Sequence, residues 1–299
     1  GFDGAGKPTE IQRVKDPSAH SIPMLRRDFS IDDKKEIVGA RLYITARGIY
    51  DCRINGKEIT DTWFNPGASQ FDKHIMYQTY DVTDLLRSGE NGIGITLASG
   101  WWCDAQTFVL RNYNYYGDQE SVLAKLVVQY ADGSCERIVT NPADWDYYGE
   151  GPYTYAGFFQ GEHLDGRQLS VYEDFSLPGY QISGMKKPAE IQPVVIPEVA
   201  TMPPGFGRAW PKVDHSQTKI VGGVNAPVVE VCRLTAKSMT EPRKGLYLYD
   251  LEQEIAGVPV IRFHGKEGTE VTIRYGEILY PELPEYGSLH GLMLTENYR

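Results

Sequence analysis

Alternation of apolar and polar residues recurs along this chain and predicts strands far more often than helices. Ala40, Leu42, Ile44 and Ala46 alternate with Arg41, Tyr43, Thr45 and Arg47, the two-residue period of a half-buried strand. Pro23 through Ile31 reads as an earlier strand. Tyr50–Ile54 follows the alternating run, and Asn55-Gly56 turns it back onto Lys57-Glu58-Ile59; both turn residues tolerate the positive φ a tight hairpin needs. Asn65-Pro66-Gly67 marks another turn. Val122, Ala124, Leu126 and Val128 alternate before Ala131-Asp132-Gly133-Ser134 reverses the chain into Cys135–Thr140, a second hairpin pattern.

The chain is organised around residues 77–102. A strand pattern ends at Tyr80-Asp81-Val82, and Thr83-Asp84-Leu85-Leu86 makes one helical turn, with Thr83 or Asp84 as its expected cap. Ile93, Ile95 and Leu97 resume alternation up to Gly100-Trp101-Trp102, which places the Trp pair at a sheet edge on or near a loop face. One helical turn among so many strands implies an all-β sandwich or jelly roll.

Seven prolines between residues 178 and 211 interrupt this pattern. They predict a Pro-rich linker over 176–223, after a lead-in at 1–22 and a jelly-roll module at 23–175. Alternation returns at 228–234, 245–251, 258–263 and 270–275 as part of a second sandwich over 224–299. Four strands are few for an independent sandwich, so this second unit reads as incomplete, cut within its domain.

A formal charge of −10 disfavours nucleic acid and anionic membrane as partners, and no apolar run is long enough to span a bilayer. Cys52, Cys103, Cys135 and Cys232 show no metal-cage spacing. Cys52, Cys135 and Cys232 read as buried free thiols, and Cys103 as nearer a surface loop. No secretory signal is visible, and a processed chain would look the same; an extracytoplasmic location, periplasmic or secreted, is the favoured reading. Gly92-Ile93-Gly94 and Gly222-Gly223 lack a phosphate-loop pattern and read as turns or strand kinks.

Three stretches, ARLYITARGIYDCRINGKEI (40–59), YQTYDVTDLLRSGENGIGITL (77–97) and GEHLDGRQ (161–168), resemble the N-terminal module of bacterial α-L-rhamnosidases, glycoside hydrolase family 78. Residues 245–279, with TENYR at 295–299, resemble the β-sandwich that comes next in that family. The resemblance implies a galactose-binding-like jelly-roll β-sandwich followed by a second, incomplete β-sandwich. It also implies that catalysis, with inversion at terminal α-L-rhamnosyl linkages, belongs to a helical barrel absent from these residues. No catalytic residue is therefore assigned here.

Related modules bind L-rhamnose, some with calcium. A sugar site needs an aromatic face together with amide and carboxylate groups. On predicted loops, Trp101, Trp102, Asp104, Asn112, Asn114, Glu162 and Asp165 offer that chemistry, with Asn114 and Asp118 the calcium candidates. Each has a plainer alternative: a Trp in the core, an Asn holding a turn, and His163 beside Glu162 and Asp165 as a surface group rather than a metal ligand. No cofactor is required by this reading. Ser99 stands where relatives carry Asp or Asn before the Gly-Trp, and Asp250–Gly257 reads DLEQEIAG where they read DxGQNxxG. The expected function is a non-catalytic scaffold or sugar-binding region, its partners being rhamnose-containing glycans or the catalytic domain of the same polypeptide. The alternative is a stand-alone lectin or adhesin.

Overall fold

The computed structural model describes residues 21–104, 116–158, 161–191, 195–196 and 213–276. The chain divides into two compact units, 1–229 and 230–299. In the first, the strands are β1 (Met24–Ile31), β2 (Ile37–Arg47), β3 (Ile49–Ile54), β4 (Lys57–Glu58), β5 (Thr62–Trp63), β6 (His74–Asp81) and β7 (Gly89–Ala98). After helix α1 (Gly100–Cys103) come β8 (Ser121–Tyr130), β9 (Cys135–Val139), β10 (Asp146–Tyr148), β11 (Tyr153–Gly157) and β12 (Gly161–Leu164). Helix α2 (Leu169–Asp174) precedes β13 (Val195–Ile196), β14 (Val213–Asp214), β15 (Lys219–Gly222) and β16 (Val228–Val229).

Two five-stranded sheets, ordered β10-β1-β7-β3-β4 and β15-β6-β2-β8-β9, form a sandwich. Its core is the apolar half of each alternating run: Leu42 and Ile44 of β2 and Leu126 of β8 on one side, Ile54 of β3 and Ile93 and Ile95 of β7 on the other. The register sets Leu42 opposite Leu126 and Cys52 opposite Ile95, so neighbouring apolar side chains fall on the same face. The Asn55-Gly56 hairpin joins β3 to β4 with φ of 52° and 83°, and the β8–β9 hairpin turns at Gly133. The all-β sandwich is thus the fold of this unit.

The cap of the 83–85 turn differs from expectation. Neither Thr83 nor Asp84 caps it; the Asp81 carboxylate accepts both the Thr83 N–H, at 3.1 Å, and the Thr83 hydroxyl, at 2.6 Å. Those two bonds hold the Asp81 carboxyl below the usual range.

The stretch expected to be a linker packs on the first unit instead. Tyr180, Ile182 and Met185 pack against the buried cluster of Met24, Tyr148, Val171 and Phe175, and residues 175–178 cross β7 as a strap. A Cβ on Gly92 would lie 2.4 Å from the Ser176 carbonyl oxygen, and one on Gly94 would lie 2.9 Å from the Ser176 Cβ. Only glycine lets the strap approach so closely. Arg26 pins it, its guanidinium donating to the Phe175 and Leu177 carbonyls at 3.0 and 2.9 Å. Further on, β15 joins β6 in parallel, and β16 pairs with β5. Residues 228–229 therefore complete the first unit, whereas their alternation predicts the opening of the second.

In the second unit β17 (Ser238–Arg243) and β18 (Leu246–Asp250) form a hairpin turned by Gly245. Residues 258–263 and 270–275 alternate in sequence but form no strand. An alternating run becomes a strand only when a neighbour completes its ladder, and among the described residues neither run has one. Cysteine placement also differs from expectation in three cases. Cys103 is buried with Phe71 and Trp102, while Cys135 lies on the solvent face of edge strand β9, and Cys232 is exposed.

Candidate functional site

The Trp pair sits on α1, a single turn that closes one end of the sandwich. Gly100 begins it with φ of +51°, and a Cβ there would lie 2.7 Å from Ile49 Cγ1, so glycine is required. Consecutive helical residues point about 100° apart, and Trp101 and Trp102 consequently have different fates. Trp102 turns inward and is 1% exposed. It meets Phe71 edge-on at 5.5 Å, Tyr116 at 6.0 Å and His215 at 4.6 Å, with the Arg47 guanidinium 5.1 Å from its ring centre. The expectation that Trp102 forms a sugar platform is thereby corrected: its ring is packed on several sides.

Trp101 remains half-buried and stacks on Phe158, with centroids 4.3 Å apart and planes at 28°. Phe158 meets Phe64 at 5.0 Å, and Phe64 meets Trp63 at 6.3 Å. Four rings drawn from three separate segments of the chain thus form a row that starts on α1. Phe64 takes part with φ of +59°, a left-handed conformation that is an outlier for a bulky side chain.

Asp104 ends α1 and is fully buried. Its carboxylate accepts the Phe158 backbone N–H and, at 3.3 Å, the Tyr155 hydroxyl. Gly157 permits this approach, since a Cβ there would lie 2.7 Å from Asp104 Oδ2. The expected role of Asp104 as a sugar ligand is replaced by that of a backbone anchor. Ser99 is buried and donates to Glu120 Oε1 at 2.6 Å. The Ser99 hydroxyl therefore faces an interior acid.

The remaining candidates do not converge with these. Asp165 accepts the Arg167 N–H at the start of a 3₁₀ turn and binds its guanidinium at 2.9 and 2.7 Å. These bonds hold its carboxyl down to about 2, and it acts as a cap rather than a free ligand. Glu162 lies on exposed β12, where partial desolvation raises its carboxyl above the usual range. His163 stands 6.1 Å from Tyr155, edge to face. Asp118 is exposed, and Asn112 and Asn114 lie outside the described residues. Among the described residues no group of three or more His, Cys, Asp or Glu side chains could hold a metal ion. No described helix is long and apolar enough to cross a membrane.

Phe64, Phe158, Arg47, Glu120 and His215 escape a reading of the sequence, because none shares a period or motif with the Trp pair. His215 is buried, donates from Nε2 to the Tyr116 carbonyl at 2.5 Å, and is pushed down from its ordinary pKa chiefly by burial. The only sequence signal near Phe158 is its place in a Gly-Phe-Phe run at 157–159.

Residues 35–205 match the family described as Alpha-L-rhamnosidase N-terminal domain, and 240–296 match the Bacterial alpha-L-rhamnosidase concanavalin-like domain. An alpha-L-rhamnosidase of Streptomyces avermitilis is 32% identical over 287 residues, which is 94% of this chain and 25% of that protein. One from Alteromonas sp. (strain LOR) is 30% identical over 98% of this chain and 28% of its own length. The crystal structure of the Streptomyces avermitilis enzyme complexed with L-rhamnose superposes with a TM-score of 0.65 at 30% identity, over 79% of this chain and 20% of that one. The native Aspergillus terreus enzyme gives 0.65 at 28% identity, over 82% of this chain and 25% of its own. The chain spans about a quarter of the length of the curated relatives it matches.

Proposed function

Because the chain belongs to the bacterial alpha-L-rhamnosidase family, we propose that it is the non-catalytic N-terminal β region of an enzyme that hydrolyses terminal α-L-rhamnosyl linkages. Its first module holds rhamnose-containing glycans at the Trp101 end of the sandwich. The observation that carries the sugar reading is the half-buried Trp101 in a row of aromatic rings beside α1. Such rings offer an apolar face to the C–H side of a pyranose. Trp102, Asp104 and Asp165 take structural roles, so among the described candidates Trp101 is the sugar contact of this reading.

Titration with L-rhamnose, followed by tryptophan fluorescence with and without a calcium chelator, tests it. A saturable change that Trp101→Ala abolishes and glucose does not produce supports the site; silence towards rhamnose and rhamnosylated glycans rejects it. Scaffolding of a catalytic domain is the second reading. It is favoured by exposed Met239, Tyr247 and Tyr249 on the β17–β18 hairpin, an apolar set of the kind that interfaces use.

A further inference from the structure

One face of Trp101 already has an occupant. Phe158 lies on it at 4.3 Å, nearly parallel, and two rings at that spacing leave no room for a pyranose between them. The stack runs outward: Trp101 is half-buried and Phe158 is 39% exposed, so Phe158 is its solvent-side layer. The Phe158 backbone is fixed through its N–H to buried Asp104, and Gly157 is the only residue type that permits that contact. The side chain, by contrast, carries its exposed ring into the gap between Trp101 and Phe64.

We infer that Phe158 is a gate on the sugar site: its ring occupies the Trp101 face when sugar is absent, and sugar enters by displacing it through rotation about χ1. The inference rests on the reading of Trp101 as a sugar contact. The backbone anchor makes the gate local, since the ring swings while Asp104 keeps the main chain in place. A site open only part of the time binds with an affinity reduced by the open fraction. Removing the ring therefore tightens sugar binding, whereas removing a ring that belonged to the platform would weaken it.

The test compares this 299-residue chain with its Phe158→Ala and Phe158→Leu variants, each checked for fold by circular dichroism; Leu keeps apolar bulk without a ring. Acrylamide quenching reads the opening of Trp101 without any sugar, and the gain in quenching should vanish in a Trp101→Ala background. L-rhamnose titration should give an affinity about three- to tenfold tighter than wild type, the scale of one aromatic pair. Equal or weaker rhamnose affinity in the variants, with wild type still binding, overturns the gate and leaves the sugar site standing. Absence of rhamnose binding by every form, with Trp101 opened to acrylamide, overturns both.

Discussion

The buried Asp104 carboxylate accepts the backbone N–H of Phe158, 54 residues along the chain. A residue that looks like a sugar ligand in sequence is thus what fixes the most exposed ring of the aromatic row. Asp104→Ala leaves that N–H and the Tyr155 hydroxyl without their shared acceptor, at a cost of about 2–3 kcal/mol. Asp104→Asn retains one acceptor oxygen and should lose distinctly less. Urea denaturation of both variants measures the difference, and equal losses would show that the acceptor is not what matters.

His215 packs on Trp102 at 4.6 Å and is held neutral chiefly by burial; nearby Arg47 works in the same direction, while the Tyr116 carbonyl and Asp72 oppose it. Its folded pKa lies below the unfolded value, so the unfolded chain binds the proton first. Stability from this group is complete above the unfolded pKa of about 6.5 and is lost as pH falls below it. The slope is at most about 1.4 kcal/mol per pH unit. Denaturation midpoints measured from pH 7.5 to 5 should fall in wild type and flatten in His215→Gln, whose amide can still donate to Tyr116.

The sandwich was legible because its strands bury one face, and a two-residue period records that directly, as in Leu42, Ile44 and Leu126. Legibility failed where burial has another source. Arg26 is 1% exposed on the outer face of β1, where alternation assigns a polar residue to water. The strap at 175–178 covers it, a contact about 150 residues distant that no local pattern encodes. Trp102 was equally opaque, since a four-residue helix has no period to read and its partners Phe71 and His215 come from remote segments of the chain. Residues 258–275 fail in the opposite sense: their period is clear, but a period does not supply the neighbouring strand.

Arg26 gives a third expectation. Its guanidinium joins the Phe175 and Leu177 carbonyls to Asp28, which it contacts at 3.0 and 2.6 Å. Arg26→Ala strands two strap carbonyls and should cost about 3 kcal/mol. Arg26→Lys keeps the charge but not the planar fork that spans three partners, and it should recover little. Limited proteolysis around residues 175–180, alongside urea denaturation, distinguishes release of the strap from general unfolding. Unchanged protection of that segment in Arg26→Ala would refute the clamp.

Glu252, at the position where the sequence resemblance leads one to expect glycine, has a φ of +57°. A residue with a Cβ thus sits in a left-handed turn. Its N–H donates to Asp250 Oδ1 at 2.7 Å, which holds the turn closed, while its Cβ carries the steric penalty of that backbone, about 1–2 kcal/mol. Glu252→Gly removes the penalty but makes the unfolded chain more flexible. The net gain should be about 0.5–1 kcal/mol, and Glu252→Ala, which keeps the Cβ, should gain nothing. Hydrogen exchange at Tyr247–Asp250 reads the effect within the second unit. Slower exchange in the Gly variant alone is expected, and equal exchange in both variants would show that the turn carries no strain.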